Sequence, residues 1–115
     1  MDPRLQIVIA VMEEHLQDEL SLEELASSSN ISLSHFHHLF KALTGNSPAN
    51  YLRTLRMERA RQLLRTTELS VKEVMSRTGI KDRSHFEREF KKVYGITPAK
   101  YHKAELLNRW IHRNT

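Results

Sequence analysis

Apolar residues along this chain recur at helical spacing and show no strand-like alternation. Leu5, Ile9, Met12 and Leu16 make a first stripe and predict a packing helix near the start. Leu22, Leu25 and Ala26 make a short second stripe, and Val71, Val74 and Met75 repeat it. Phe36, Leu39, Phe40 and Leu43 share one face at i, i+3, i+4 and i+7. Phe86, Phe90 and Val93 predict the matching buried stripe later, with Glu89 where Leu39 stands. Between them Leu52, Leu55, Ala60, Leu63 and Leu64 line a long helix over 48–66. Leu106, Leu107, Trp110 and Ile111 lie at helical spacing in the tail, 104–115, and are expected to cover the domain's own core. The chain is therefore expected to be all-α.

The stripes belong to a repeat. "SLEELASSSNI" (Ser21–Ile31) parallels "SVKEVMSRTGI" (Ser70–Ile80) at an offset of 49. "SHFHHLFKALTGNSPANY" (Ser34–Tyr51) parallels "SHFEREFKKVYGITPAKY" (Ser84–Tyr101) at an offset of 50. Each copy has its own start and stop signals. Ser21 and Ser70 precede short helices, each with a glutamate three residues on, Glu24 and Glu73. Asn30 and Gly79 are residues that tolerate a left-handed C-terminal turn. Ile31 and Ile80 plug the turns. Ser32 and Asp82 are placed to cap the following helices, which end at Gly45 and Gly95. Ser47-Pro48 and Thr97-Pro98 each read as a cap followed by a first-turn proline. Short helix, tight turn and longer helix is the helix-turn-helix layout. The expected organisation is a first subdomain over 1–47, a linker helix over 48–66, a second subdomain over 67–103 and the tail over 104–115.

On a helical wheel Ser34, His37, His38 and Lys41 fall opposite the first phenylalanine stripe. Ser84, Glu87, Arg88 and Lys91 do the same in the second copy. The shared F-x-x-x-F skeleton is packing. The residues that differ, His37-His38 against Glu87-Arg88, stand where a docked helix meets base edges. Glu87 suits acceptance from cytosine N4 or, preferably, an i+4 pair with Lys91. The linker carries Arg53, Arg56, Arg59, Arg61 and Arg65, and nineteen helical residues span about 28 Å. Successive major grooves on one DNA face lie ~34 Å apart.

Charge sharpens this picture. The formal net charge is +4 over 115 residues. It divides into −6 over residues 1–31, +5 over 32–66 and +5 over 67–115. A basic body behind an acidic first segment suits a polyanion that touches part of the molecule. Other chemistries find little support. With no cysteine there is no disulfide or thiolate. His35 and His38 lie at i, i+3, but no carboxylate falls within a turn of them, so no metal and no cofactor is expected. Adjacent acids such as Glu13-Glu14 point apart on a helix, and no nucleophile constellation is implied, so no enzyme is expected. No apolar run is long enough to span a membrane.

The double motif, "RMERARQLL" (Arg56–Leu64) and "FKKVYGITPAKY" (Phe90–Tyr101) together resemble the DNA-binding domain of the AraC/XylS family of bacterial transcription regulators. The resemblance covers roughly Leu5 to Lys103. It implies seven helices, with two helix-turn-helix subdomains joined by a long central helix. It also implies recognition helices over about 33–43 and 83–93 entering adjacent major grooves of double-stranded DNA. By position it places Ser34, His37 and His38, and then Ser84, His85 and Arg88, at base edges; His38 stands where the family often has arginine. Ser32, Lys41, Ser47, Lys91 and Thr97 suit phosphates. Imidazole gains a proton in the physiological range, so affinity is expected to rise as the pH falls. Family members usually carry an effector-binding or dimerising domain ahead of this one. "MDPRL" looks like an initiator at a domain boundary, so the chain is read as a fragment of a larger regulator. It is expected to be monomeric and cytoplasmic at the nucleoid, with RNA polymerase a candidate partner for the acidic segment. The alternative is a protein-interaction module that keeps the fold without DNA specificity of its own.

Overall fold

The computed structural model describes residues 2–114; Met1, read above as an initiator, and Thr115, the last residue of the tail, lie outside them. Seven helices and no strand are present among the described residues: α1 (Pro3–Glu14), α2 (Leu22–Ser28), α3 (Leu33–Thr44), α4 (Pro48–Thr66), α5 (Val71–Thr78), α6 (Arg83–Tyr94) and α7 (Pro98–Arg113). The chain divides into two compact units, with the boundary inside α4 between Leu55 and Arg56.

The local signals act as chemistry requires. Ser21 Oγ accepts from the Glu24 amide at 3.2 Å and starts α2. Ser70 and Glu73 close a full capping box, with Glu73 N donating to Ser70 Oγ at 3.1 Å and Ser70 N donating to Glu73 Oε1 at 3.2 Å. The backbone N–H of Ser70 holds the Glu73 carboxyl below its usual range, and the Ser70 side chain adds to this. Asn30 at φ 58° and Gly79 at φ 73° turn the chain out of α2 and α5. Ile31 N then bonds Ala26 O, and Ile80 N bonds Met75 O, at 3.2 and 3.0 Å. These bonds satisfy carbonyls that the helix ends would otherwise leave open.

In the first unit Leu5, Val8, Met12, Leu16, Leu25, Ala26, Phe36, Phe40 and Leu52 form one core. In the second, Ala60, Leu64, Val71, Val74, Met75, Phe86 and Phe90 form another, with Ile80, Tyr94 and Tyr101 packed against it. Corresponding rings repeat their geometry. Phe36 meets Phe40 at 5.6 Å and Phe86 meets Phe90 at 5.7 Å, both edge-on. Phe40 meets Tyr51 at 5.2 Å and Phe90 meets Tyr101 at 5.7 Å. Such edge-to-face pairs add to the burial of their area. The buried Thr78 hydroxyl is satisfied by Val74 O at 2.8 Å.

Two expectations are corrected. Val93 is 61% exposed, and Leu43 is exposed as well, so neither continues its stripe. The core ridge runs i, i+4, i+8, from Phe86 through Phe90 to Tyr94, whose ring lies 4.7 Å from Phe90. Each step of four advances 40° round the helix, so the i+7 place is left on the flank. Most of the tail stripe does not cover the core either: Leu106 is half-buried, but Leu107 is 58% and Trp110 57% exposed, and Ile111 is exposed too. The second half of α7 is held on another side. Arg109 Nη2 donates to Thr67 O at 2.7 Å, and His102 Nε2 lies 3.3 Å from the same oxygen. Tyr101, His102, Glu105 and Arg109 share that inner side, which turns Leu107, Trp110 and Ile111 outward.

Phe90→Ala should lower the free energy of unfolding by about 3–5 kcal/mol, while Val93→Ala should change it by less than about 0.5 kcal/mol; urea titration of both variants checks the pair. Glu73 has a depressed folded-state pKa, so its contribution is present above the unfolded value and fades as the pH falls through the folded one. Glu73→Gln should therefore flatten the loss of stability between about pH 5 and 3, read from urea midpoints in acid buffers.

Candidate nucleic-acid interface

The candidate surface is built twice, once in each unit. Burial of Phe36 and Phe40 fixes the rotation of α3, and burial of Phe86 and Phe90 fixes that of α6. On α3 this leaves Ser34, His37, His38 and Lys41 exposed. On α6 it leaves Ser84, His85, Arg88 and Lys91 exposed and Glu87 half-buried. Each unit thus brings its own expected base-facing residues onto one helix. His37 also touches the core edge, its ring 6.2 Å from that of Phe36 and perpendicular to it.

The caps differ in a way that matters to an anion. Ser32 Oγ accepts from the His35 amide at 3.2 Å, Ser47 Oγ from Asn50 at 3.2 Å, and Thr97 Oγ1 from Lys100 at 3.3 Å. A hydroxyl that accepts still has its own proton to donate. These three caps can therefore stabilise a helix and donate to a phosphate together. At the start of α6 the cap is Asp82, accepting from the His85 amide at 3.0 Å. A carboxylate has no proton to offer and repels phosphate. The two units therefore share a frame but differ at the entrance of the outward helix.

The arginines of α4 are less uniform than their spacing suggests. Arg53 donates to Asn50 at 3.0 Å and Arg59 to Gln62 at 2.8 Å, each one turn away on the exposed side. Burial pushes the Arg56 guanidinium down from its ordinary range. Arg61 lies over the Tyr94 ring, 5.1 Å from its centre. Burial raises the Tyr94 hydroxyl, and the Arg61 charge opposes that rise. Arg61 is thus partly committed to holding the last turn of α6.

One expected pairing is corrected. Glu87 bonds to Arg83, whose Nε donates to Oε1 at 2.9 Å, and not to Lys91. Helical side chains lean toward the N-terminus, so the Glu87 carboxylate lies over the turn that carries Arg83. Arg83 is thus a further residue of this face, and its i, i+4 spacing to Glu87 is visible in the sequence. Among the described residues no cluster of three or more His, Asp or Glu groups is placed to hold a metal ion. No helix among them is long and apolar enough to cross a membrane.

Two short-helix, turn, long-helix units, each with a polar outward face on its second helix, define a double helix-turn-helix protein. A helix-turn-helix domain family matches residues 25–104. The transcriptional regulator GbdR of Pseudomonas aeruginosa is 38% identical over 96 residues, covering 84% of this chain and 26% of that protein. The transcriptional activator RhaS of Escherichia coli is 36% identical over 95 residues, covering 83% of this chain and 34% of that protein. The DNA-binding domain of AdpA, solved in complex with a target DNA, is 34% identical with a TM-score of 0.83, covering 95% of this chain and 97% of that one. An AraC-type regulator from Chromobacterium violaceum is 29% identical with a TM-score of 0.80, covering 90% and 92%. The chain belongs to the AraC/XylS family of helix-turn-helix transcription regulators. It spans about a quarter to a third of the length of the curated relatives it matches.

Apart from the edge contact of His37 with Phe36, the outward face of α3 has no part in its core, which yields a direct check. The triple variant Ser34→Ala/His37→Ala/His38→Ala should keep its urea midpoint, each exposed change costing less than about 0.5 kcal/mol. Phe36→Ala should cost about 3–5 kcal/mol by the same titration.

Proposed function

We propose that the chain is a sequence-specific reader of double-stranded DNA that inserts α3 and α6 into adjacent major grooves on one face of the duplex. The observation that carries this reading is the pairing of two near-identical buried frames with two different outward faces. Packing alone gives no reason for His37 and His38 in one copy to become Glu87 and Arg88 in the other. Two different short base sequences do. The AdpA domain bound to its target DNA supports the same reading by likeness.

Arg88 is assigned to guanine, where a guanidinium donates two parallel bonds to O6 and N7. Ser34, His37, His38, Ser84, His85 and Glu87 complete the base-facing set. Lys41 and Lys91, with the hydroxyl caps Ser32, Ser47 and Thr97, are assigned to phosphates. The continuous α4, 19 residues long, joins the two readers. The chain acts as a monomer on an asymmetric site in the cytoplasm, at the nucleoid. Within a longer regulator it would follow an effector-binding or dimerising domain. The acidic surface of α1 and α2 is assigned to RNA polymerase.

The test is selection of bound duplexes from a random pool, then titration of the winner at several salt concentrations. An asymmetric site with two short blocks about one helical turn apart is the expected result. If no sequence is enriched and binding disappears at modest salt, the chain is either a fragment that needs its missing domain to read DNA or a protein-interaction module that keeps the fold. Arg88→Ala should cost about 1–3 kcal/mol and relax one block only, whereas Lys41→Ala and Lys91→Ala should weaken all sequences alike and each reduce the salt slope by about 1.

A further inference from the structure

Arg83 and Glu87 lie one turn apart at the start of α6, joined by the bond from Nε to Oε1 at 2.9 Å. Their side chains are 55% and 45% exposed. The corresponding places in the first copy hold Leu33 and His37, so the ion pair belongs to the second reader alone. An exposed pair of this spacing does little for helix stability. Its position is more telling. Glu87 adjoins Arg88 on the outward side of α6, the side assigned above to base edges. A lone carboxylate there would be repelled by DNA phosphates. A guanidinium bonded to it cancels that charge and restricts its rotation.

The bond engages Nε of Arg83 and Oε1 of Glu87, and leaves Oε2 and the two Nη atoms outside it. Oε2 is an acceptor with no proton of its own, and the Nη groups are donors. In the major groove cytosine is the base whose exposed edge group, N4, only donates, so a carboxylate oxygen matches it. We propose that Glu87 selects a cytosine in the block read by α6, and that Arg83 is a positioning residue. Arg83 neutralises the carboxylate and turns Oε2 toward the base, while its own Nη groups reach a neighbouring phosphate. The second reader thus uses two arginines differently: Arg88 reads a base, and Arg83 acts through Glu87. This inference rests on the two-groove reading above.

The test is duplex selection with the parent, Glu87→Gln, Arg83→Ala and Arg83→Lys, each first shown by circular dichroism to keep its helix content. The parent should favour cytosine at one position in the block that Arg88→Ala relaxes, by about fivefold to a hundredfold over other bases. Glu87→Gln should replace that cytosine by adenine, since a carboxamide pairs with adenine N6 and N7. Arg83→Ala should keep both blocks but flatten the cytosine preference, and Arg83→Lys should restore part of it. A brace that only supports the helix would not move base preference. If both blocks persist and Glu87→Gln keeps the parent's preferences, the pair is such a brace, and the two-groove reading survives without the proposal. If Arg83→Ala retains the full cytosine preference, the positioning role falls. If the parent yields no two-block site, the two-groove reading falls and takes this assignment with it.

Discussion

The rest of the structure depends on one repeated constraint: two phenylalanines four residues apart, buried completely on the second helix of each helix-turn-helix motif. Phe36 with Phe40, and Phe86 with Phe90, present two large rings to a core that has few alternatives for them. A ring that leaves the core forfeits its burial, and the vacated space is not easily filled. The rotation of α3 and α6 about their own axes is therefore set from the inside. What lies on the far side of each helix is then free to vary without cost to folding. A reader of sequence needs that separation, because specificity has to change while the frame stays fixed.

The same separation explains how two similar units come to differ in chemistry. Tyr94 extends the buried ridge of α6 and receives Arg61 over its face. In α3 the equivalent place is Thr44, whose hydroxyl turns back to Phe40 O at 2.7 Å. Ser32 at the head of α3 has a proton to donate, and Asp82 at the head of α6 has none. The second reader meets this extra negative charge with Arg83, Arg88, Lys91 and Lys92 on its own helix. Its face is thus a mixture of charges where the first face is mainly imidazole and hydroxyl. The two faces therefore differ in charge and in the hydrogen-bonding groups they present.

Much of this was legible in the sequence because it is local. Ser21, Ser70, Ser32, Asp82 and Thr97 cap helices through amides three residues away, and Asn30 and Gly79 end them through their own backbone angles. The repeat made each assignment twice, so each copy checked the other. Val93 and Leu43 lie outside the cores because the buried ridge of α6 runs i, i+4, i+8 and leaves the i+7 place on its flank. In α7 the decision was taken by polar groups, Arg109 and His102 on the carbonyl of Thr67, which no apolar pattern announces. The partner of Glu87 was misjudged because spacing alone allows i−4 and i+4 equally, and only the lean of the side chain separates them.

The most direct measurement is a two-dimensional amide NMR titration of the chain with its selected duplex, at a salt concentration where binding is tight. The account predicts shifts grouped on Ser34, His37, His38 and Lys41 of α3 and on Ser84, His85, Glu87, Arg88 and Lys91 of α6, saturating together at one duplex per chain. Shifts confined to one unit, or centred on the exposed face of α7 at Leu107 and Trp110, would contradict it.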